Sequence, residues 1–162
     1  MKYQEPIRVV PLSIEHLDAV VAIERRSFSD PWSRAMFLSE LEVAGGTFAR
    51  GAWVPDKQTG ERLVGYSFAV FVIDEAHLGN LAVDPGYRRK GVAQRLLGDL
   101  ITEARRHEVR RMTLEVRESN AHARTFYARN GFIDIAMRKS YYQKPVEDAI
   151  VMLLVLPGGE RA

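Results

Sequence analysis

The apolar positions of this chain change their period several times, and each change marks an element. Residues 7–12 (IRVVPL) are apolar enough for a first strand. Ser13 is a good helix N-cap, and Leu17, Val20, Val21 and the run from Ile23 to Phe28 then carry an amphipathic helix. SDPW (29–32) breaks it. Ser33 caps a second, short helix with Met36, Phe37 and Leu41 inward, ended by Gly45-Gly46. TFARGAWV (47–54) and RLVGYSFAVFVI (62–73) read as two strands joined by the polar loop PDKQTGE. EAHLGNLAVD (75–84) is a further strand, stopped by Pro85-Gly86. Residues 92–108 form the clearest helix, with Val92, Leu96, Leu97, Leu100, Ile101 and Ala104 on one stripe. RMTLEVR (111–117) is a strand, and Asn120 to Asn130 form a helix that Gly131 ends. FIDIAMR (132–138) and EDAIVMLLVL (147–156) are the last two strands, and 157–162 form a frayed tail.

This order predicts an α/β (α+β) architecture. The strand-helix-strand at 75–117 implies a parallel pair joined by a right-handed crossover. The hairpins before it are antiparallel. The expected sheet is mixed and mostly antiparallel, with six to seven strands around a central parallel pair, flanked by about four helices. A length of 162 residues suits one domain over 1–162.

Composition narrows the chemistry. With no cysteine, disulfides, thiolate metal sites and a cysteine nucleophile are excluded, and a reducing cytoplasm fits. The four histidines (16, 77, 107, 122) lack metal-ligand spacing, so no metal is expected. No segment has the length of a signal peptide core or a membrane span. Net charge is only +2, but residues 88–111 hold eight basic residues against three acidic ones. Over Arg95 to Arg111 this reads as a solvated helix face, and no aromatic-interleaved nucleic-acid motif accompanies it.

The cations before the helix differ. Arg88, Arg89 and Lys90 run into Gly91, and the helix starts at Val92. A helix N-terminus offers unpaired N–H groups and about half a positive charge. Gly91 lets the backbone approach a ligand closely. The combination suits a phosphate or pyrophosphate, or else is a plain loop with a basic surface. There is no Gly-Lys-Ser/Thr and no GxGxxG, which argues against a P-loop nucleotidase and a dinucleotide fold.

NLAVDPGYRRKGVAQRLL resembles the central motif of the GNAT superfamily of acetyl-CoA-dependent N-acetyltransferases, (Q/R)-x-x-G-x-(G/A), read here as Arg88-Arg89-Lys90-Gly91-Val92-Ala93. LEVRESNAHARTFYARNGF (114–132) is similar to the next block of that family. SDPW, KSYYQKP (139–145) and EDAIVM (147–152) resemble the RimI-type subfamily, alanine N-acetyltransferases acting on a ribosomal protein. The resemblance implies the GNAT fold and acetyl-CoA, with the pyrophosphate on Arg88 to Ala93 and the adjoining Gln94. It implies a bulged strand at Leu81-Ala82-Val83 that offers its backbone to the cofactor. Gly79, just before it, fits either a bulge or core packing. Ala93 replaces the second glycine, and Gly79 stands where relatives often carry a larger residue.

On its strand, Glu115 shares a face with Thr113 and Arg117, opposite Met112, Leu114 and Val116. It is either a general base or a carboxylate paired with an arginine such as Arg117; the resemblance implies the base, directly or through a water. Tyr127 shares a helical face with Ala123, Phe126 and Asn130 and reads as a core aromatic with a satisfied hydroxyl. The resemblance makes it the acid that protonates the leaving thiolate, and adds a cofactor contact to the capping role of Asn120. It also sets Tyr141 and Tyr142 against the acceptor peptide from a loop before the last strand, with Pro31 and Trp32 as the opposite wall. Read alone, these are a solvent-edge aromatic pair and a turn with a packing tryptophan. The implied acceptor is a protein N-terminus, most specifically a ribosomal protein's alanine. A small-amine acetyltransferase and a non-catalytic acyl-CoA-binding or ribosome-associated module are the alternatives.

Overall fold

A computed structural model describes residues 6–43 and 47–158. In chain order the elements are β1 (Arg8–Pro11), α1 (Leu17–Ser27), α2 (Arg34–Glu42), β2 (Thr47–Asp56), β3 (Gly60–Val72), β4 (Glu75–Val83), α3 (Val92–Arg106), β5 (Arg111–Arg117), α4 (Ala121–Arg129), β6 (Ile133–Tyr142) and β7 (Glu147–Val155). They form one seven-stranded sheet in the order β1-β2-β3-β4-β5-β7-β6. Every neighbouring pair is antiparallel except β4 and β5, which α3 connects as a parallel pair.

Two helical layers sandwich the sheet. Leu17, Val20, Ile23 and Phe37 of α1 and α2 pack on Tyr66 and Phe68 of β3. On the other face Leu97, Leu100 and Ala104 of α3 join Met112, Leu114 and Val116 of β5 and Tyr127 of α4. All members of the predicted α3 stripe are buried except Ile101, which is partly so. Each buried Val or Leu of that stripe contributes about 1.5–3 kcal/mol on leaving water. Alternation on β5 is as expected, with Met112, Leu114 and Val116 inward.

Several local expectations shift. Ser13 caps a short 3-10 turn, Ile14–His16, that leads into α1, rather than α1 itself. Ser33 caps α2 by accepting the Met36 N–H at 3.2 Å. Met36, expected inward, is 48% exposed, because this nine-residue helix rests on Phe37, Leu38 and Leu41 instead. The expected stop at Gly45-Gly46 lies outside the described residues. β2 and β3 extend into the expected hairpin loop, to Asp56 and from Gly60. β6 runs on to Tyr142, so Tyr141 and Tyr142 end a strand and are not in a loop.

Two irregularities in β4 shape the centre of the sheet. The bulge expected at Leu81-Ala82-Val83 lies earlier: those residues pair regularly with β3, while Phe68 pairs with Asn80 and Ala69 with Leu78, which leaves Gly79 as the extra residue. A Cβ on Gly79 would meet its nearest atoms at 3.6 Å, an ordinary contact, so packing does not require glycine there. Pairing of β4 with β5 covers only Glu75 to His77 against Arg111 to Thr113. Beyond that rung the two strands part.

Candidate active site

The parting strands open a cleft of about 480 Å³. Leu81 and Asn80 line one side, and Glu115, Asn120 and Tyr127 the other. Pro31 and Trp32 close it from the α1–α2 connection, and Tyr141 and Tyr142 from the end of β6. Leu81, Ala82 and Val83 pair with Ser67, Tyr66 and Gly65 of β3, while their other edge has no β5 partner. The Ala82 side chain is buried under α1, so it is the backbone of this stretch that borders the gap.

A second cleft of about 740 Å³ lies at the start of α3, lined by Val83, Arg88, Arg89, Gly91 to Gln94 and residues of α4. Arg89 (φ 62°) and Gly91 (φ 82°) both take the left-handed conformation as the chain turns into the helix. Gly91 is the N-cap and supplies no side-chain cap. The first helical bond runs from the Arg95 N–H to the Gly91 carbonyl at 3.1 Å, so the N–H groups of Val92, Ala93 and Gln94 have no intrahelical acceptor. The Lys90 ammonium lies 5.0 Å from the Tyr87 ring centre. Gln94 and Asn130 exchange hydrogen bonds at 2.7 and 3.1 Å, which pins α3 to α4.

Glu115 is held from two sides. Its Oε2 lies 2.5 Å from His77 Nε2, and its Oε1 lies 3.7 Å from an Arg138 guanidinium nitrogen. The His77 hydrogen bond, and after it the charge of Arg138, keep this carboxyl below the usual carboxylate range although burial opposes them. The arginine paired with Glu115 is thus Arg138 rather than Arg117. Arg117 instead binds Glu147 at 3.1 Å and the carbonyls of Pro145 and Gln143 at 3.0 and 2.9 Å.

Tyr127 packs its ring edge-on to Phe126 and Phe132. It is a core aromatic, but no hydrogen bond to its hydroxyl occurs among the described residues. Burial, and then the nearby Tyr142, push its pKa well above the ordinary phenol value. Tyr142 is itself pushed up to about 12, mainly by burial. The Arg117 guanidinium sits 4.5 Å from the Tyr142 ring centre and Arg138 5.4 Å from that of Tyr141. Asn120 Oδ1 caps α4 by accepting the Ala123 N–H at 3.1 Å.

Two groups escaped sequence reasoning. Glu24, 1% exposed, accepts hydrogen bonds from the Trp32 N–H at 3.0 Å, Asn80 Nδ2 at 2.9 Å and the Tyr66 hydroxyl. Its signal was a carboxylate four residues after Val20, inside the apolar stripe of α1. His77 was the other. Only its even spacing from Glu75 on β4 hinted at its face, and nothing local pointed to Glu115.

A family model described as the acetyltransferase (GNAT) family matches residues 17–132. The chain belongs to the GNAT family. The [ribosomal protein bS18]-alanine N-acetyltransferase of Escherichia coli strain K12 is 37% identical over 145 residues, covering 88% of this chain and 93% of that protein. The enzyme of the same name from Haemophilus influenzae is 41% identical over 137 residues, covering 83% and 88%. The crystal structure of the E. coli ribosomal-protein-S18-alanine N-acetyltransferase superposes with a TM-score of 0.83 at 32% identity, over 97% of this chain and 99% of that one. Arabidopsis thaliana NAA60, solved with acetyl-CoA, shares the fold at 18% identity and a TM-score of 0.81, over 93% and 99%.

This GNAT protein is an acetyltransferase, and the donor bound in Arabidopsis NAA60 is acetyl-CoA. The chain fits that donor: an uncapped helix N-terminus beside three cations suits the pyrophosphate, and Glu115 and Tyr127 line the cleft where β4 and β5 part. No helix among the described residues is long and apolar enough to cross a membrane.

Proposed function

We propose that this GNAT enzyme, with residues 1–162 acting as one domain, acetylates the N-terminal α-amine of a protein, the alanine of a small-subunit ribosomal protein. The observation that carries this reading is the likeness, over nearly the whole chain, to enzymes named for that acceptor. Such an acceptor places the enzyme in the cytoplasm.

Arg88, Arg89, Lys90 and the N–H groups of Gly91 to Gln94 hold the pyrophosphate. The backbone of Leu81 to Val83 and the side chain of Asn120 line the path toward the gap. Acetyl-CoA supplies an activated acyl group and a thiolate leaving group. Backbone N–H groups on the free edge of β4 polarise the carbonyl, as oxyanion-hole donors do. The acceptor enters between Pro31-Trp32 and Tyr141-Tyr142. An α-amine has a reference pKa near 7.7–8.0, so a modest base suffices. Glu115, held ionised, accepts that proton directly or through a water. Burial raises the Tyr127 phenol above its ordinary range, and its Oη–H, with no partner among the described residues, is the donor to the departing sulfur. Because the phenol is a weaker acid than a thiol, the transfer is concerted with departure.

The test follows CoA release with three peptides: one beginning with the acceptor alanine, the same peptide N-terminally blocked, and a blocked peptide bearing lysine. Wild type should acetylate the first alone. Glu115→Gln and Tyr127→Phe should each lower kcat about 10²-fold or more. Turnover of the lysine peptide or of a polyamine would leave the acetyltransferase standing and remove the α-amine assignment.

A further inference from the structure

His77 is not among the residues that the proposed mechanism uses, yet its position is specific. It occupies the last rung at which β4 and β5 pair, opposite Thr113. Glu115 lies two residues beyond Thr113 on the same strand face, so the imidazole reaches across the fork as the strands separate. Glu115 has a side chain only 10% exposed, whereas that of His77 is 45% exposed and does not line the acceptor cleft. The imidazole therefore grips the carboxylate from behind, through Oε2.

We infer that His77 is a positioning residue for the base: its Nε2–H fixes Glu115 Oε2 in the cleft wall and leaves Oε1 to receive the proton. This rests on the reading of Glu115 as the base. An ionised carboxylate this buried needs hydrogen bonds to remain charged. The titratable and charged groups facing it are His77 from β4 and Arg138 and Tyr142 from β6; its β7 partner is Val151. Arg138 is 3.7 Å away, a charge contact and no hydrogen bond, so among the described residues His77 is the side chain that hydrogen-bonds this carboxylate.

The experiment compares wild type, H77A, H77Q, E115Q and H77A/E115Q by kcat and KM on the alanine-starting peptide, and by the acid limb of the kcat–pH profile. Glutamine places an N–H donor at about the reach of Nε2, so H77Q restores the contact. H77A should lower kcat about tenfold, leave the peptide KM within about twofold, and move the acid limb to higher pH, since the carboxyl loses the donor that holds it ionised. H77Q should recover to within about threefold of wild type. On the E115Q background H77A should cost nothing further, because the two act as a unit. Unchanged kcat in H77A with E115Q impaired, or an equal loss on both backgrounds, overturns the inference while leaving Glu115 as the base. Wild-type kcat in E115Q removes the base reading itself.

Discussion

The Asp84 carboxylate and the Arg26 guanidinium meet at 2.7 Å, tying the turn that leads into the cationic loop to the end of α1. Asp84 is 6% exposed, and its other oxygen accepts the Gly86 N–H at 3.1 Å. Burial pushes this carboxyl up, but the Gly86 N–H and Arg26 outweigh it and hold the pKa below the ordinary range. A depressed carboxylate contributes stability that is present above its unfolded pKa, near 3.9, and is lost as pH falls through the folded value. Arg26→Ala should therefore move acid unfolding to higher pH. At neutral pH it should cost about 1 kcal/mol, since Arg26 is half exposed. Circular dichroism across a pH series checks both.

Glu24 gathers three donors from α2's approach, β3 and β4. Glu24→Ala leaves the buried Tyr66 hydroxyl and the half-buried Trp32 and Asn80 donors unpaired and should destabilise by about 3 kcal/mol. Glu24→Gln presents an amide N–H to at least one donor and should also lose stability. Urea titration gives both values. Because Trp32 and Asn80 line the cleft proposed for the acceptor, peptide KM should rise in any variant that still folds.

Gly91→Ala forces a side chain into the left-handed region at φ 82°. The strain is about 1–2 kcal/mol. It falls on the turn proposed for the pyrophosphate, so the KM for acetyl-CoA should rise several-fold with the peptide KM little changed. Steady-state kinetics with each substrate varied in turn separates the two.

Gly65 is constrained by space. A Cβ there would come within 2.9 Å of the Ala82 carbonyl oxygen and of Val92. The carbonyl belongs to the β4 backbone and cannot rotate aside, so Gly65→Ala must push β4 or α3. About 1–3 kcal/mol of lost stability is expected, with weaker acetyl-CoA binding, readable by thermal melts with and without the ligand.

What the sequence revealed was local. The stripe Val92 to Ala104 and the alternation of RMTLEVR are periodic, so each element could be read from its own residues. The cationic turn was legible because its chemistry lies within six consecutive residues. The resemblance brought Glu115 and Tyr127 forward, and the structure sets them on one cleft. Partners at long range were not legible. His77 and Glu115 are 38 residues apart, and Glu24 and Asn80 are 56 apart. Those meetings depend on strand register, which no short window contains. Met36 was misplaced because a nine-residue helix offers two turns, too few for its apolar face to be chosen from spacing alone.

The brief pairing of β4 and β5 has a mechanical meaning. Four strands lie on one side of that seam and three on the other, joined through three rungs, the α3 crossover and the grip of His77 on Glu115. Along the seam the sheet relies on side-chain packing, Ala76 and Leu78 against Met112 and Leu114, more than on strand pairing. A ligand lodged in the gap touches both halves and acts as mortar between them, so the amides of β4 and β5 should exchange with deuterium more slowly in its presence. The weakest join in the sheet is thus also the place where binding stiffens the molecule.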